Sequence, residues 1–92
     1  MSTAPAPSAQ AEEIRAQTLE WVAELLEEPE VEPGDGFLEL GGHSALALQL
    51  GEYARERFGD EYDIMVLFDG TLAEAADELA ARLAAAAAPE AA

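Results

Sequence analysis

The chain has no cysteine and no lysine, and only one histidine, His43, among 92 residues. Without cysteine there can be no disulfide framework, thiolate metal centre or cysteine nucleophile, and the redox compartment is left open. A lone histidine excludes multi-histidine metal sites, and the acidic loop around 30–36 lacks the D-x-D-x-D-G spacing of a calcium loop, so no intrinsic metal is expected. The only cations are Arg15, Arg55, Arg57 and Arg82. Four scattered arginines cannot build a phosphate-neutralising patch, which excludes nucleic acid and anionic membranes as direct partners. Long apolar runs are missing too. No stretch approaches the roughly 20 residues of a membrane span, and the first residues lack the basic and apolar regions of a signal peptide. A cytoplasmic location is therefore expected.

What the chain has in excess is negative charge: 20 Asp and Glu give a formal net charge of -16. Hydrophobic residues make up 50% of the chain, but 21 of them are alanine, so large apolar side chains are few. A chain of this length buries only about 60 to 65% of the surface its unfolded form exposes. A deep active site is not expected; a function mounted on the surface is.

Residues 1–10, with Pro5 and Pro7 among Ala, Ser and Thr, are expected to form a mobile tail. The folded domain is expected over 11–87, followed by a short tail at 88–92. From 11 to 28, Ile14, Thr18, Val22 and Leu25 recur at helical spacing, widened by Trp21 and Leu26, and Pro29 stops the pattern. Residues 29–43 hold two prolines and four glycines and must be a loop. Its apolar Val31, Phe37, Leu38 and Leu40 predict that it packs on the core.

A second helix is predicted over Ser44–Phe58, with Leu46, Leu50, Ala54 and Phe58 inward, Tyr53 beside them and Gly59 as a left-handed stop. Gly51 inside that helix costs about 1 kcal/mol relative to Ala, so it marks either a close approach or a tolerated defect. The run 64–68 suits a short helix, since no second β-rich segment exists to pair with it. Thr71 and Glu74 form a capping box ahead of Leu72, Ala76, Leu79 and Leu83. The predicted fold is all-α: a small bundle of three longer helices and one short helix, with a long first loop and no strand.

The chemistry sits in F-L-E-L-G-G-H-S at 37–44. A helix N-terminus presents unpaired N–H groups and partial positive charge, which favour a phosphate on or beside its first residue. Gly41 and Gly42 keep side chains away from the Ser44 hydroxyl, leaving room for a modifying enzyme. Taken alone, G-G-H-S reads first as Ser44 serving as an ordinary N-cap, with the glycines merely turning the chain.

The order of elements, together with V-E-P-G-D-G-F-L-E-L-G-G-H-S at 31–44 and R-E-R-F-G at 55–59, resembles the phosphopantetheine-dependent carrier proteins. Within them it is most similar to the peptidyl carriers of nonribosomal peptide synthesis, over about 12–83. Their acyl-carrier relatives in fatty-acid and polyketide synthesis usually show D-S-L at the corresponding place. The resemblance implies a four-helix carrier bundle, in which Ser44 bears 4'-phosphopantetheine taken from coenzyme A, with Gly41, Gly42 and His43 forming its approach. It implies a non-catalytic subunit holding an aminoacyl or acyl thioester on a thiol that the cofactor supplies. The implied partners are a phosphopantetheinyl transferase, an adenylating enzyme and condensing or tailoring enzymes.

Four features depart from the family pattern: Ala45 replaces a larger aliphatic residue, Leu38 the second Phe, Asp63 a common Pro, and 68–72 is one residue shorter. With the predicted apolar face turned inward, Ala45, Leu48, Gln49 and Glu52 share the outer side of the second helix. They form the candidate docking face with Ile64 and Met65, while Val66 and its neighbours read equally well as core. His43 reads either as a contact to the transferase or arm, or as a plain positioning residue. No group is placed to make it a general base toward Ser44.

The expectation is a free-standing monomeric peptidyl carrier. The alternatives are an acyl carrier for fatty-acid or polyketide chemistry, and an acidic helical interaction module with an unmodified Ser44.

Overall fold

The computed structural model describes residues 6–87, and four helices account for its regular structure. They are α1 (Ala6–Leu26), α2 (Ser44–Phe58), α3 (Ile64–Asp69) and α4 (Leu72–Ala87), with no strand among the described residues. Helix α1 packs along α4, α2 lies against α1, and α3 lies against α4. The expected all-α bundle is what forms.

Helix α1 starts earlier than composition suggested. Residues 6–10, expected to belong to a tail, are helical. Pro7 falls in the first turn, where its missing N–H has no intrahelical partner to lose. Residues 1–5 and 88–92, the rest of the two expected tails, lie outside the described residues. The other end comes sooner, at Leu26 rather than Glu28. Glu27 adopts a left-handed conformation (φ 55°), with Glu28 N–H bonded to Ala23 O at 3.0 Å and Glu27 N–H to Glu24 O at 3.4 Å. That is a Schellman closure with glutamate at the position usually held by glycine.

Ile14, Thr18 and Val22 of α1 and Leu72, Ala76 and Leu79 of α4 are fully buried in the core between the packed helices, while Trp21, Leu25 and Leu26 pack at the margin. Burial of each large side chain contributes about 1.5–3 kcal/mol. On α2 the buried positions are Ala47, Leu50, Gly51 and Ala54, and the expected Leu46 and Phe58 are only partly covered. The inward face is thus rotated slightly from the predicted one, because small residues let α2 approach closely. The Thr71–Glu74 capping box forms as predicted: Glu74 N–H bonds Thr71 Oγ1 at 3.1 Å, and Thr71 N–H bonds Glu74 Oε1 at 2.9 Å.

The first loop is built into the bundle. Its carbonyls at Asp35 and Pro33 accept the N–H groups of Leu72 (2.8 Å) and Ala73 (2.9 Å), satisfying two orphan donors at the start of α4. Phe37 is fully buried and stacks on Phe68 of α3 with ring centroids 6.2 Å apart. Val31 and Leu40 are partly buried, as expected, but Leu38 is 51% exposed, contrary to its predicted packing role. One turn lies between two structural anchors there, and Leu38 points off its outer side into a cleft lined also by Phe68 and Thr71.

The segment between α2 and α3 is held by charge and by one buried hydroxyl. Gly59 closes α2 in the left-handed region (φ 96°). Arg82 of α4 reaches Asp60 Oδ2 at 2.8 Å and the Glu61 carbonyl at 2.6 Å, while Tyr62 inserts into the core. Asp63 then caps α3, its carboxylate accepting from Met65 N–H (2.9 Å) and Val66 N–H (3.3 Å). The acidic residue found in place of the family's common proline is thus an N-cap.

Candidate functional site

The site is assembled by the turn that delivers the chain into α2. Residues 36–42 make a single helical turn: Gly42 N–H bonds Phe37 O at 2.9 Å and Gly41 N–H bonds Leu38 O at 3.0 Å. Gly41 has φ 101°, a conformation side-chain-bearing residues rarely adopt. Gly42 is required for a different reason. A Cβ there would lie 2.3 Å from Cε2 of the buried Phe37 ring. The double glycine is therefore a turn residue followed by a contact residue, and both glycines act on the path of the backbone. Keeping side chains away from the hydroxyl is at most a secondary effect of Gly42, whose missing Cβ points at Phe37.

The turn ends in His43, which is the N-cap of α2 in extended conformation (φ -149°, ψ -179°) and makes no side-chain capping bond. Ser44 is consequently the first helical residue, not the N-cap that the motif alone allowed. Its side chain is exposed and its hydroxyl has no hydrogen-bond partner among the described residues. The first intrahelical bond runs from Ala47 N–H to His43 O at 2.9 Å, so the three N–H groups before it are open to an anion at the helix start. No acidic residue lies in the first turn of α2, and residues 40–51 contain no carboxylate in a chain that has 20. A phosphodiester on Ser44 would meet helix-dipole attraction there without a like charge on the same turn. The residues present fit such a group.

The model of the phosphopantetheine attachment site family matches residues 16–79, well over half of the chain. The chain belongs to that family. Its cofactor is 4'-phosphopantetheine, held covalently, and carriers of this family generally act with a phosphopantetheinyl transferase and biosynthetic enzymes rather than as catalysts. Comparisons with curated proteins and with solved structures give no match.

Around the carrier's Ser44, α2 divides into stripes. Ser44, Leu48, Gly51 and Arg55 follow one another at helical spacing on one flank. At the lower end of that stripe the Glu61 side chain covers Gly51, where a Cβ would sit 3.0 Å from Glu61 Oε1, and Arg55 pairs with the same carboxylate. The mid-helix glycine is thus explained by close approach of the segment leading to α3. Ala45, Gln49 and Glu52 are exposed on the outermost stripe, as predicted. Leu48 is 67% exposed, Ile64 44% and Met65 63%, whereas Val66 packs against the core. Leu38, read from the sequence as a buried loop residue, joins these exposed apolar side chains. Only its departure from the family's second Phe marked it out.

Titratable groups at the far end of α2 are tied to structure. The Asp60 carboxyl is held below the usual carboxylate range, chiefly by the Glu61 N–H at 2.8 Å and further by Arg82. Arg55 is raised by its bond to Glu61, and burial pushes the Tyr62 phenol up to about 12. No group of three or more metal-ligating side chains occurs among the described residues, and none of their helices is long and apolar enough to cross a membrane.

Proposed function

We propose that Ser44 is the attachment residue and that the chain is a peptidyl-type carrier, holding an aminoacyl or acyl group as a thioester in nonribosomal peptide or related biosynthesis. The observation that carries the first part is the exposed, unpartnered hydroxyl at the first position of a carboxylate-free helix start, inside the matched family segment. The peptidyl assignment is supported by L-G-G-H-S at 40–44 in place of the D-S-L of fatty-acid and polyketide carriers.

In the attachment step the Ser44 oxygen forms one bond to phosphorus and loses its proton. The pyrophosphate linkage of coenzyme A breaks, and adenosine 3',5'-bisphosphate leaves. The residues of this chain orient rather than catalyse: Gly41, Gly42 and the buried Phe37 fix the approach of the backbone, and the first-turn N–H groups of α2 favour the new phosphodiester charge. When attached, the arm supplies the thiol that a cysteine-free chain lacks. Ala45, Leu48, Gln49, Glu52, Ile64 and Met65 form the proposed docking face for the transferase, the adenylating enzyme and the condensing or tailoring enzymes, with His43 at its edge.

The test is incubation with coenzyme A and a broad-specificity transferase, read by intact mass. One phosphopantetheine adds to the wild-type chain and none to Ser44→Ala; an unchanged addition to the variant would refute the assignment of Ser44. Loading the modified carrier with adenylating enzymes, against acyl transfer from fatty-acid or polyketide enzymes, separates the peptidyl from the acyl type.

A further inference from the structure

The flank of α2 opposite the Ser44 stripe carries a second feature. There Tyr53 and Arg57 face α1, and with Trp21 and Glu56 they line an open cleft of about 330 Å³. Its floor is aromatic: Trp21 lies 5.5 Å from Tyr53 and 5.9 Å from Phe58, centroid to centroid, with both pairs tilted. Tyr53 remains 36% exposed on an otherwise polar helix face. The surroundings are acidic. Glu56 lines the cleft, and Glu24, one helical turn on from Trp21, is exposed on α1.

An aromatic floor with a carboxylate at its edge suits a planar cation, which can stack on the rings while its N–H groups reach Glu56. One such contact already exists in the molecule, where the Arg57 guanidinium sits 5.3 Å above the Phe58 ring. Arg57 does not fill the need of the cleft, because its charge is taken by Glu13 at 2.6 Å. The other arginines are already paired: Arg15 with Asp77, Arg55 with Glu61, and Arg82 with Asp60 and Glu78. A second copy is an unsuitable occupant, since it would bring another charge of -16 and only paired arginines. Nucleic acid and anionic membrane are repelled for the same reason.

We infer that the Trp21–Tyr53 cleft is a docking surface for an arginine side chain of a partner protein, separate from the face that presents Ser44. Tyr53 and Arg57 lie on the flank of α2 opposite the Ser44 stripe. This inference does not depend on what Ser44 carries.

The probe is a blocked Gly-Arg-Gly peptide, with Gly-Lys-Gly as its counterpart. A single cation limits binding driven by the overall charge. Titration into the full chain is followed by amide and indole chemical shifts and by the fluorescence of Trp21, the one tryptophan. Shifts should concentrate on Trp21, Tyr53 and Glu56, and the arginine peptide should bind at least about threefold more tightly than the lysine peptide. Tyr53→Ala and the fully surface-borne Glu56→Gln should each weaken binding about threefold or more. Ser44→Ala and Asp69→Asn, which removes an exposed charge on α3, should leave it unchanged. Shifts spread over the acidic surface, equal binding of the lysine peptide, or equal effects of Glu56→Gln and Asp69→Asn would overturn the inference.

Discussion

The Tyr62 hydroxyl donates to Thr18 Oγ1 across 2.7 Å inside the core, joining the segment after α2 to the middle of α1. The direction follows from the second bond of Thr18, whose own hydroxyl proton goes to the Ile14 carbonyl at 2.6 Å. Thr18 is thus the acceptor for Tyr62, and the pair places a polar link where periodicity alone suggested only an apolar stripe.

Thr18→Val keeps the volume of the side chain but leaves the Tyr62 hydroxyl without its acceptor. A buried donor left unpaired costs about 1–3 kcal/mol. Tyr62→Phe removes the donor and leaves Thr18 still bonded to Ile14, so it should cost less. Urea unfolding of the two variants checks the order, and a larger loss for Tyr62→Phe would contradict the donor assignment.

The same tyrosine makes stability fall at alkaline pH. Burial raises its folded-state value to about 12, above the ordinary 10, so the unfolded chain loses the proton first. The contribution is complete below pH about 10 and is lost between about 10 and 12, at roughly 1.4 kcal/mol per unit. Thermal melts across this range should show the loss in the wild-type chain and a flatter profile in Tyr62→Phe.

Gly42→Ala drives a methyl group into the Phe37 ring, which is buried and stacked and has nowhere to move. Overpacking of this kind costs about 1–3 kcal/mol, and here it also displaces the start of α2. Both the melting temperature and the rate of phosphopantetheine addition at Ser44 should drop. Gly34→Ala, with nothing within 4 Å of the added Cβ, should change neither.

Glu27→Gly should stabilise the protein. The left-handed conformation at φ 55° closes α1 and costs a side-chain-bearing residue about 1 kcal/mol or more that glycine does not incur. Part of that gain is offset by the larger freedom of glycine in the unfolded chain. A net rise in melting temperature is the expected result, with Ser44 modification unaltered.

Addition of salt should slow the encounter with the transferase. With all four arginines paired internally, most of the carboxylates face solvent and steer a basic partner. Stopped-flow or initial-rate measurements at rising ionic strength should show kcat/KM falling more steeply than kcat.

Much of the fold was legible because its signals are local. The α2 boundaries, the Gly59 stop and the Thr71–Glu74 box each depend on residues within a turn or so of one another, and all three formed where expected. The start of α1 is less legible, since Pro7 and its small neighbours have the composition of a tail although proline is tolerated in a first turn. Asp63 carries a readable N-cap signal, a short acid before an apolar run, and its carboxylate does cap α3.

By itself, then, the sequence determined the helices, the acidic surface and a serine at the head of α2, since helical periodicity and capping act over three or four residues. Tertiary structure alone decided what joins residues far apart in the chain. It set Phe37 against Gly42 and Phe68, Glu61 over Gly51, Tyr62 onto Thr18, and an acid partner for each arginine. The Trp21–Tyr53 cleft belongs with these, because it exists only where α1 and α2 meet. Side-chain contacts between distant segments depend on how the helices cross, and no spacing within one helix encodes that.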